Sequence, residues 1–157
     1  MSSKGITPCL WFDSQAEEAT NFYVSVFKNS GITKVSRYGK EGFEIHGKAE
    51  GSVMTVEFHL DGQTFTALNG GPVFRFNEAV SFQVYCQTQD EIDYYWDKLT
   101  EGGMESQCGW LKDKFGVSWQ VIPTVLPELL SDPSRSERVN RAFLQMKKLD
   151  LEKLKLA

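Results

Sequence analysis

With 157 residues, the chain is long enough for one good hydrophobic core or for two small intertwined modules. Hydrophobic residues make up 41% of it, aromatic residues 13% and charged residues 24%, which is typical of a globular protein and excludes a disordered chain. The net charge is −4 and no basic block precedes the C-terminal tail. Nucleic acid and anionic membranes are therefore unsupported as partners, and a small neutral or weakly polar ligand is expected.

The N-terminal residues indicate where the protein is located, and the cysteines argue against a fold held together by disulfides or zinc. The N-terminus lacks an apolar signal core and no apolar run is long enough to span a bilayer, so we expect a cytoplasmic protein. Cys9, Cys86 and Cys108 are odd in number and form no C-x-x-C pair, which argues against a disulfide framework and a structural zinc site. We expect each cysteine to be a small buried hydrophobe.

The first half of the chain predicts one helix among four strands. Ser14-Gln15-Ala16-Glu17 matches a capping box, and apolar residues then recur at helical spacing as far as Phe27. Asp61-Gly62 lies between two runs of alternating apolar residues and is typical of a two-residue hairpin turn. The predicted strands are 6–12, 32–38, 53–60 and 63–68, and the Gly-rich segment 39–51, which contains His46, is predicted to be a mobile surface loop.

The hairpin turn predicts a polar face on its two strands. If the loop has two residues, His59 faces Thr64 and Glu57 faces Thr66. Residues two apart on a strand share a face, so Glu57 and His59 could act as orienting carboxylate and base, or as two ligands of a non-standard metal site. The alternative is a solvated strand face with a weak ion pair.

The second half of the chain repeats this pattern. Residues 79–86 are a predicted strand, Thr88-Gln89-Asp90-Glu91 is a second capping box, and Gly102-Gly103 ends the helix that follows. A hairpin is predicted over 108–123, and in its second strand Ser118, Gln120 and Ile122 alternate with apolar residues. Both halves run strand, capped helix, then strands ending in a hairpin, which indicates an internal duplication.

Several long runs of the sequence are similar to the motifs of one protein family. These runs are Phe58-His59-Leu60-Asp61-Gly62-Gln63, Ala67-Leu68-Asn69-Gly70-Gly71-Pro72, Phe76-Asn77-Glu78-Ala79, Tyr94-Tyr95-Trp96-Asp97-Lys98-Leu99 and Cys108-Gly109-Trp110-Leu111-Lys112-Asp113. Over residues 5–150 the chain resembles the PhnB-like branch of the vicinal oxygen chelate superfamily (glyoxalase, bleomycin-resistance and dioxygenase proteins). Some members of that branch are named 3-demethylubiquinone-9 3-methyltransferase.

The resemblance implies an α+β fold of two β-α-β-β-β modules, whose curled mixed sheets form a cleft, followed by C-terminal helices. It divides a single domain, 1–157, into a first module 5–71, a second module 77–123 and a helical extension 124–157. The extension is predicted to contain a helix from Ser131-Asp132-Pro133 to about Leu149, and then a short amphipathic piece. We expect it to pack on the protein's own surface or on a partner subunit, and we expect a homodimer.

The resemblance also implies where a metal would lie. Enzymes of the superfamily hold a divalent metal with His and Glu on the first and last strands of each module. The corresponding positions here fall near Thr7, Thr66, Ser81 and Gln120. Hydroxyl and amide side chains are poor ligands for transition metals, so we expect neither a metal nor another cofactor. Methyl transfer also lacks support, because no Gly-rich loop joins a strand to a helix in the way that cradles a nucleotide-like cofactor.

The predicted cleft is lined by polar strand residues and by a few residues near them. These are Thr7, Cys9, Thr64, Thr66, Asn69, Ser81, Gln83, Trp96, Ser118 and Gln120. Some have an alternative interpretation: the strand residues of the second half could face outward, Asn69 could be a turn residue and Trp96 could be core.

Two functions are consistent with these patterns. The first is a small-molecule enzyme that uses Glu57 and His59 for acid–base catalysis. The second is a non-catalytic protein that binds and sequesters a small molecule. No residue in the sequence selects a substrate.

Overall fold

A computed structural model describes residues 5–157, which form two compact units that meet in sequence between Arg75 and Phe76. The first unit contains four strands and two helices. They are β1 (Cys9–Phe12), α1 (Ala16–Val26), β2 (Gly31–Arg37), α2 (Phe43–His46), β3 (Val53–Leu60) and β4 (Gln63–Asn69). The strand order is β1-β4-β3-β2, with β1 parallel to β4 and the other neighbours antiparallel. Helix α1 covers one face of this sheet, where Val56, Phe58 and Ala67 are fully buried.

The hairpin between β3 and β4 confirms the predicted register. Asp61 and Gly62 have φ values of 47° and 82°, so both turn residues adopt the left-handed backbone that a two-residue hairpin loop requires. Glu57 is therefore opposite Thr66, and His59 is opposite Thr64.

The start of α1 differs from the prediction. The helix begins at Ala16 after Gln15, and no side chain of the predicted capping box caps it. Instead, the Ala16 N–H donates to Asn69 Oδ1 at 2.8 Å, from the end of β4. Asn69 Nδ2 donates to the Val53 carbonyl at 3.1 Å. The capping box was wrong because a residue distant in sequence supplies the acceptor that the box would have supplied locally.

The segment 39–51, predicted to be a loop, contains the one-turn helix α2 and an ordered histidine. His46 Nδ1 accepts a hydrogen bond from the Lys48 N–H at 2.8 Å, and its Nε2 is 3.1 Å from the Glu41 carbonyl. The imidazole ring also lies 4.6 Å from the ring of Tyr38. The His46 side chain thus makes its contacts with the residues on either side of it in the chain.

The second unit has the same strand arrangement and four helices, three of which follow its last strand. Its elements are β5 (Ser81–Cys86), α3 (Gln89–Thr100), β6 (Met104–Glu105), β7 (Trp110–Lys112), β8 (Ser118–Pro123), α4 (Leu126–Ser131), α5 (Ser136–Leu144) and α6 (Leu151–Leu156). The order is β5-β8-β7-β6, with β5 parallel to β8. This second β-α-β-β-β arrangement confirms the predicted α+β fold. The second capping box is also confirmed, because Thr88 Oγ1 accepts from the Glu91 N–H at 3.2 Å.

The C-terminal region forms three short helices: the helix predicted from residue 131 to 149 is limited to α5, and the short amphipathic piece predicted after it is confirmed as α6. Helix α5 ends at Leu144 because the residues after it leave the helix and their carbonyl groups accept hydrogen bonds from the segment before β7. The Cys108 N–H donates to the Met146 carbonyl, and the Gly109 N–H donates to the Lys147 carbonyl. The region packs on its own unit in a buried cluster of Ile122, Leu126, Leu129, Val139, Leu149 and Leu154. No helix in the described part of the chain is long and apolar enough to cross a membrane.

Candidate functional site

The first sheet carries a polar patch on the face away from α1. Strand register places Cys9, Thr66 and Glu57 in one row across β1, β4 and β3, with Thr64 and His59 in the next. The alternate residues of β3 and β4 face α1 and are buried, whereas those of the patch stay partly or fully exposed. The structure therefore brings together five of the residues predicted to form the site.

Glu57 and His59 form the β3 side of this patch, two residues apart along the strand. The Cα partner of Glu57 on β2 is Lys34, and that of His59 is Gly31. A Cβ atom at Gly31 would lie 3.3 Å from His59 Cε1, so the missing side chain leaves room for the imidazole. The pair can present a carboxylate and an imidazole to the same bound molecule.

The second sheet presents polar side chains on the face away from α3. Ser81 and Gln83 of β5 are register partners of Ser118 and Gln120 of β8. Gln120 Nε2 donates to Ser81 Oγ at 2.8 Å, and the Tyr85 hydroxyl donates to Gln83 Oε1 at 3.2 Å. The first of these bonds holds the Ser81 and Gln120 side chains against each other.

Ser118 lies at the edge of a pocket on this face. The residue is 1% exposed, and its hydroxyl oxygen has no hydrogen-bond partner among residues 5–157. The pocket has a volume of about 130 Å³. Lys112, the register partner of Ser118 on β7, lines it and forms an ion pair with Glu78. Lys112 and Glu78 were not among the predicted site residues, although the alternation of Trp110, Leu111 and Lys112 was a signal for a side chain on the same face as Ser118.

Two predicted site residues lie elsewhere. Asn69 is 8% exposed and uses its side-chain amide to bond α1 and β3. Trp96 is 2% exposed on α3, and its Nε1 donates to Glu105 Oε1 at 2.9 Å. Both are structural in this fold. A third, Thr7, precedes β1 and is partly buried.

The cysteines differ from the prediction in burial. Only Cys86 is fully buried, whereas Cys9 is exposed and Cys108 is partly buried. The prediction failed because Cys9 occupies a strand position on the open face. Loss of solvent around their sulfur atoms raises the pKa of both the Cys9 and the Cys108 thiol. A raised pKa disfavours the nucleophilic thiolate, so neither thiol is activated for covalent catalysis.

The chemistry of the strand residues does not fit the metal site of the superfamily's enzymes. The first and last strands of each module are neighbours here, but Thr66, Ser81 and Gln120 offer neutral hydroxyl and amide groups. Two of these, Ser81 and Gln120, are bonded to each other. Among the residues that the structure describes, no three His, Cys, Asp or Glu side chains are grouped to hold a metal ion.

A family model described as 3-demethylubiquinone-9 3-methyltransferase matches residues 4–122. The chain belongs to this family. A PhnB protein from Bacillus cereus, which carries the same methyltransferase description, is 38% identical to it with a TM-score of 0.67. The match covers 76% of this chain and 98% of the Bacillus protein. No protein with a curated description matches this PhnB-like chain.

More distant solved structures share the fold. A Pseudomonas aeruginosa protein is 19% identical, with a TM-score of 0.62 over 77% of this chain and 98% of its own. The fosfomycin resistance protein FosX from Listeria monocytogenes, solved with Mn(II) and sulfate, is 15% identical, with a TM-score of 0.54 over 83% of this chain and 97% of its own. The PhnB-like chain therefore has the glyoxalase-like fold of the vicinal oxygen chelate superfamily.

Proposed function

We propose that this PhnB-like protein binds a small organic molecule on the polar faces of its sheets, and that it does so without a metal ion. The observation that carries the proposal is the strand register. It places Glu57, His59, Thr64 and Thr66 on one face of the first sheet, and Ser81 and Gln120 on one face of the second. The opposite face of each sheet packs against a helix, so these are the faces left for a ligand.

Ser81 and Gln120 can recognise a polar group as a pair. Gln120 Nε2 donates to Ser81 Oγ, which leaves the hydroxyl proton of Ser81 as a donor and Oε1 of Gln120 as an acceptor. Both side chains are partly buried, so a ligand that completes these bonds also satisfies groups with restricted access to water. The pair suits a ligand with adjacent acceptor and donor atoms.

A second candidate function is acid–base catalysis by Glu57 and His59. It is favoured by their shared position on the open face of β3, next to the two threonine hydroxyls of β4. In this function, the neutral imidazole accepts a proton from the ligand and the carboxylate orients the ring or stabilises the resulting charge. Glu57→Gln or His59→Ala abolishes turnover if the protein is an enzyme, and only weakens binding if it is a binder.

The test of binding uses protein purified without chelator or affinity metal. Elemental analysis should give much less than one metal ion per chain. A library of small organic compounds is then screened by thermal shift, and each hit is located by backbone amide chemical shifts. We expect shifts around Thr66 on the first sheet or around Ser81 and Gln120 on the second, and weaker binding of the second-sheet hits in Gln120→Leu.

The matched control is Gln63→Leu, because Gln63 is an exposed glutamine on the hairpin outside the patch. Equal losses in both variants, or shifts confined to residues outside the two faces, would contradict the proposal. A stoichiometric metal ion would contradict metal-free binding and would make Glu57 and His59 candidate ligands. We also propose a cytoplasmic homodimer, and light scattering that gives the mass of a single chain would refute the dimer.

A further inference from the structure

The pocket of about 130 Å³ lies on the face of the second sheet that does not pack against α3. The residues that line it come from the segment before β5, from β6 and the residue after it, and from β7 and β8: Glu78, Met104, Glu105, Ser106, Trp110, Leu111, Lys112 and Ser118. Because a water molecule takes up about 30 Å³ in the liquid, the pocket has room for a polar group and a few carbon atoms. It therefore suits one end of a small molecule.

Ser118 is the first sign of a ligand in this pocket. Its hydroxyl is buried and has no partner in the described part of the chain, although buried polar groups in native proteins are almost always hydrogen-bonded. Its neighbour Ser81 in the parallel register is already bonded by Gln120. The Ser118 O–H thus remains as a donor for an external acceptor atom.

Lys112 and Glu78 are the second sign. The Lys112 ammonium contacts Glu78 Oε1, and the hydrogen bond from Lys112 is the main reason why the pKa of the Glu78 carboxyl is lowered. Glu78 precedes β5 in a stretch without helix or strand, and its side chain is 63% exposed, against 33% for Lys112. An ion pair this exposed is easily exchanged for another anion.

We propose that this pocket binds the carboxylate of a small organic monoacid, which replaces Glu78 on Lys112 and accepts a hydrogen bond from the Ser118 hydroxyl. Glu78 is then an internal competitor of the ligand. Trp110 and Met104 line the same pocket and contact the carbon part of the acid. Lys112 is the one basic residue among those that line the pocket, so the pocket matches a single carboxylate.

This inference rests on the proposed function, because it assigns a chemical class to the ligand of the same sheet face. The test titrates the full chain with benzoate, neutral benzamide and cationic benzylamine, and follows amide chemical shifts at low ionic strength. Benzoate should bind most tightly, with shifts around Lys112 and Ser118.

The variants make the competition measurable. Glu78→Gln should tighten benzoate binding about threefold to tenfold because the internal competitor is gone. Lys112→Met should weaken it by about tenfold or more, and Ser118→Ala by about fivefold, because each removes a donor to a charged acceptor. None of these changes should alter benzamide binding comparably. Glu101→Gln, which removes the charge of an exposed glutamate elsewhere in the unit, is the matched control and should have no effect.

Three results would overturn the inference. One is the same benzoate affinity in Glu78→Gln, Lys112→Met and the unchanged protein. Another is benzamide binding as tightly as benzoate on the same sheet face, which would leave the proposed function standing and remove only the carboxylate assignment. The third is no binding of benzoate at all. Because Glu78 is exposed, its variant decides the matter even if Lys112→Met does not fold.

Discussion

The two units share one strand topology but begin their long helices by different means. Helix α3 is capped by Thr88, the residue directly before it. Helix α1 is capped by Asn69, at a sequence separation of 53 residues. A repeated fold therefore does not require repeated local chemistry, because any acceptor that reaches the first turn satisfies its N–H groups.

The open faces of the two sheets differ in the same way. The first presents a carboxylate and an imidazole in adjacent rows, whereas the second presents a bonded hydroxyl–amide pair beside an ion-paired lysine. The first face carries groups that can transfer a proton, and the second carries groups that can orient a polar ligand. The two sheets therefore share a strand topology but carry different polar side chains.

The largest effect is expected at the distant cap. Asn69→Ala leaves the Ala16 N–H and the Val53 carbonyl without their side-chain partners, at a site where Asn69 itself is buried. We expect the free energy of unfolding to fall by about 2–4 kcal/mol in urea titrations followed by circular dichroism. Asn69→Asp keeps the acceptor and should lose less. If Asn69→Ala lowers the free energy of unfolding no more than the loss of a local cap does, the distant cap of α1 has no greater weight than the local cap of α3.

The local cap of the second unit should matter less. Thr88→Ala removes the acceptor for the Glu91 N–H at an exposed helix end, where water can replace it. The expected loss in the free energy of unfolding is about 1 kcal/mol, measured in the same titrations. Thr88→Ser retains the hydroxyl and serves as the control, with nearly unchanged stability.

Two serines on the second sheet sharpen the comparison within one face. Ser81→Ala removes a made hydrogen bond and should cost about 1 kcal/mol of stability, with Gln120 losing its acceptor. Ser118→Ala removes a buried hydroxyl that has no partner among residues 5–157, and should leave the stability unchanged or raise it by up to about 1 kcal/mol. Thermal unfolding of both variants checks the pair. Equal destabilisation would mean that Ser118 is bonded in solution.

The smallest effect concerns pH. The pKa of Asp93 on α3 is lowered from its usual 3.8, first by the hydrogen bond from Gln89 and then by that from Lys148. A lowered folded-state pKa stabilises the fold above the unfolded value, and this contribution is lost as the pH falls below about 4. Asp93→Asn should therefore flatten the decline of stability below pH 4 slightly, because the site is largely exposed. An unchanged decline of stability below pH 4 in Asp93→Asn would show that the stability does not depend on the contact between Asp93 and Lys148.

Features determined by residues close together in sequence were predicted correctly, whereas features that depend on residues distant in sequence were not. Asp61-Gly62 set the β3–β4 register by its own backbone conformation, and Thr88 set the start of α3, so both were predicted. The Asn69 cap depends on a partner in a distant element, and its sequence context resembles a turn. The break after α5 likewise depends on bonds from residues 108 and 109, which no local pattern reveals.

The site was predictable to the same extent. Alternation along β3, β4, β5 and β8 identified the polar faces correctly by residue. Pairing between Lys112 and Glu78 was not predicted, because Glu78 lies in an irregular stretch whose path only the folded chain defines. The pocket also includes β6, a strand of two residues that is too short to show a periodic pattern.

The distant cap also orders events during synthesis. When α1 has left the ribosome, Asn69 is still inside or has not been made, so the first turn of α1 lacks its acceptor until β4 emerges. The crossover between β1 and β4 must wait for the same segment, since long-range strand pairs form only when both strands are available. Helix α3 carries its own start signal and can nucleate as it appears. Within the first unit, the capping of α1 and the pairing of β1 therefore wait until β4, the last strand, has been synthesised.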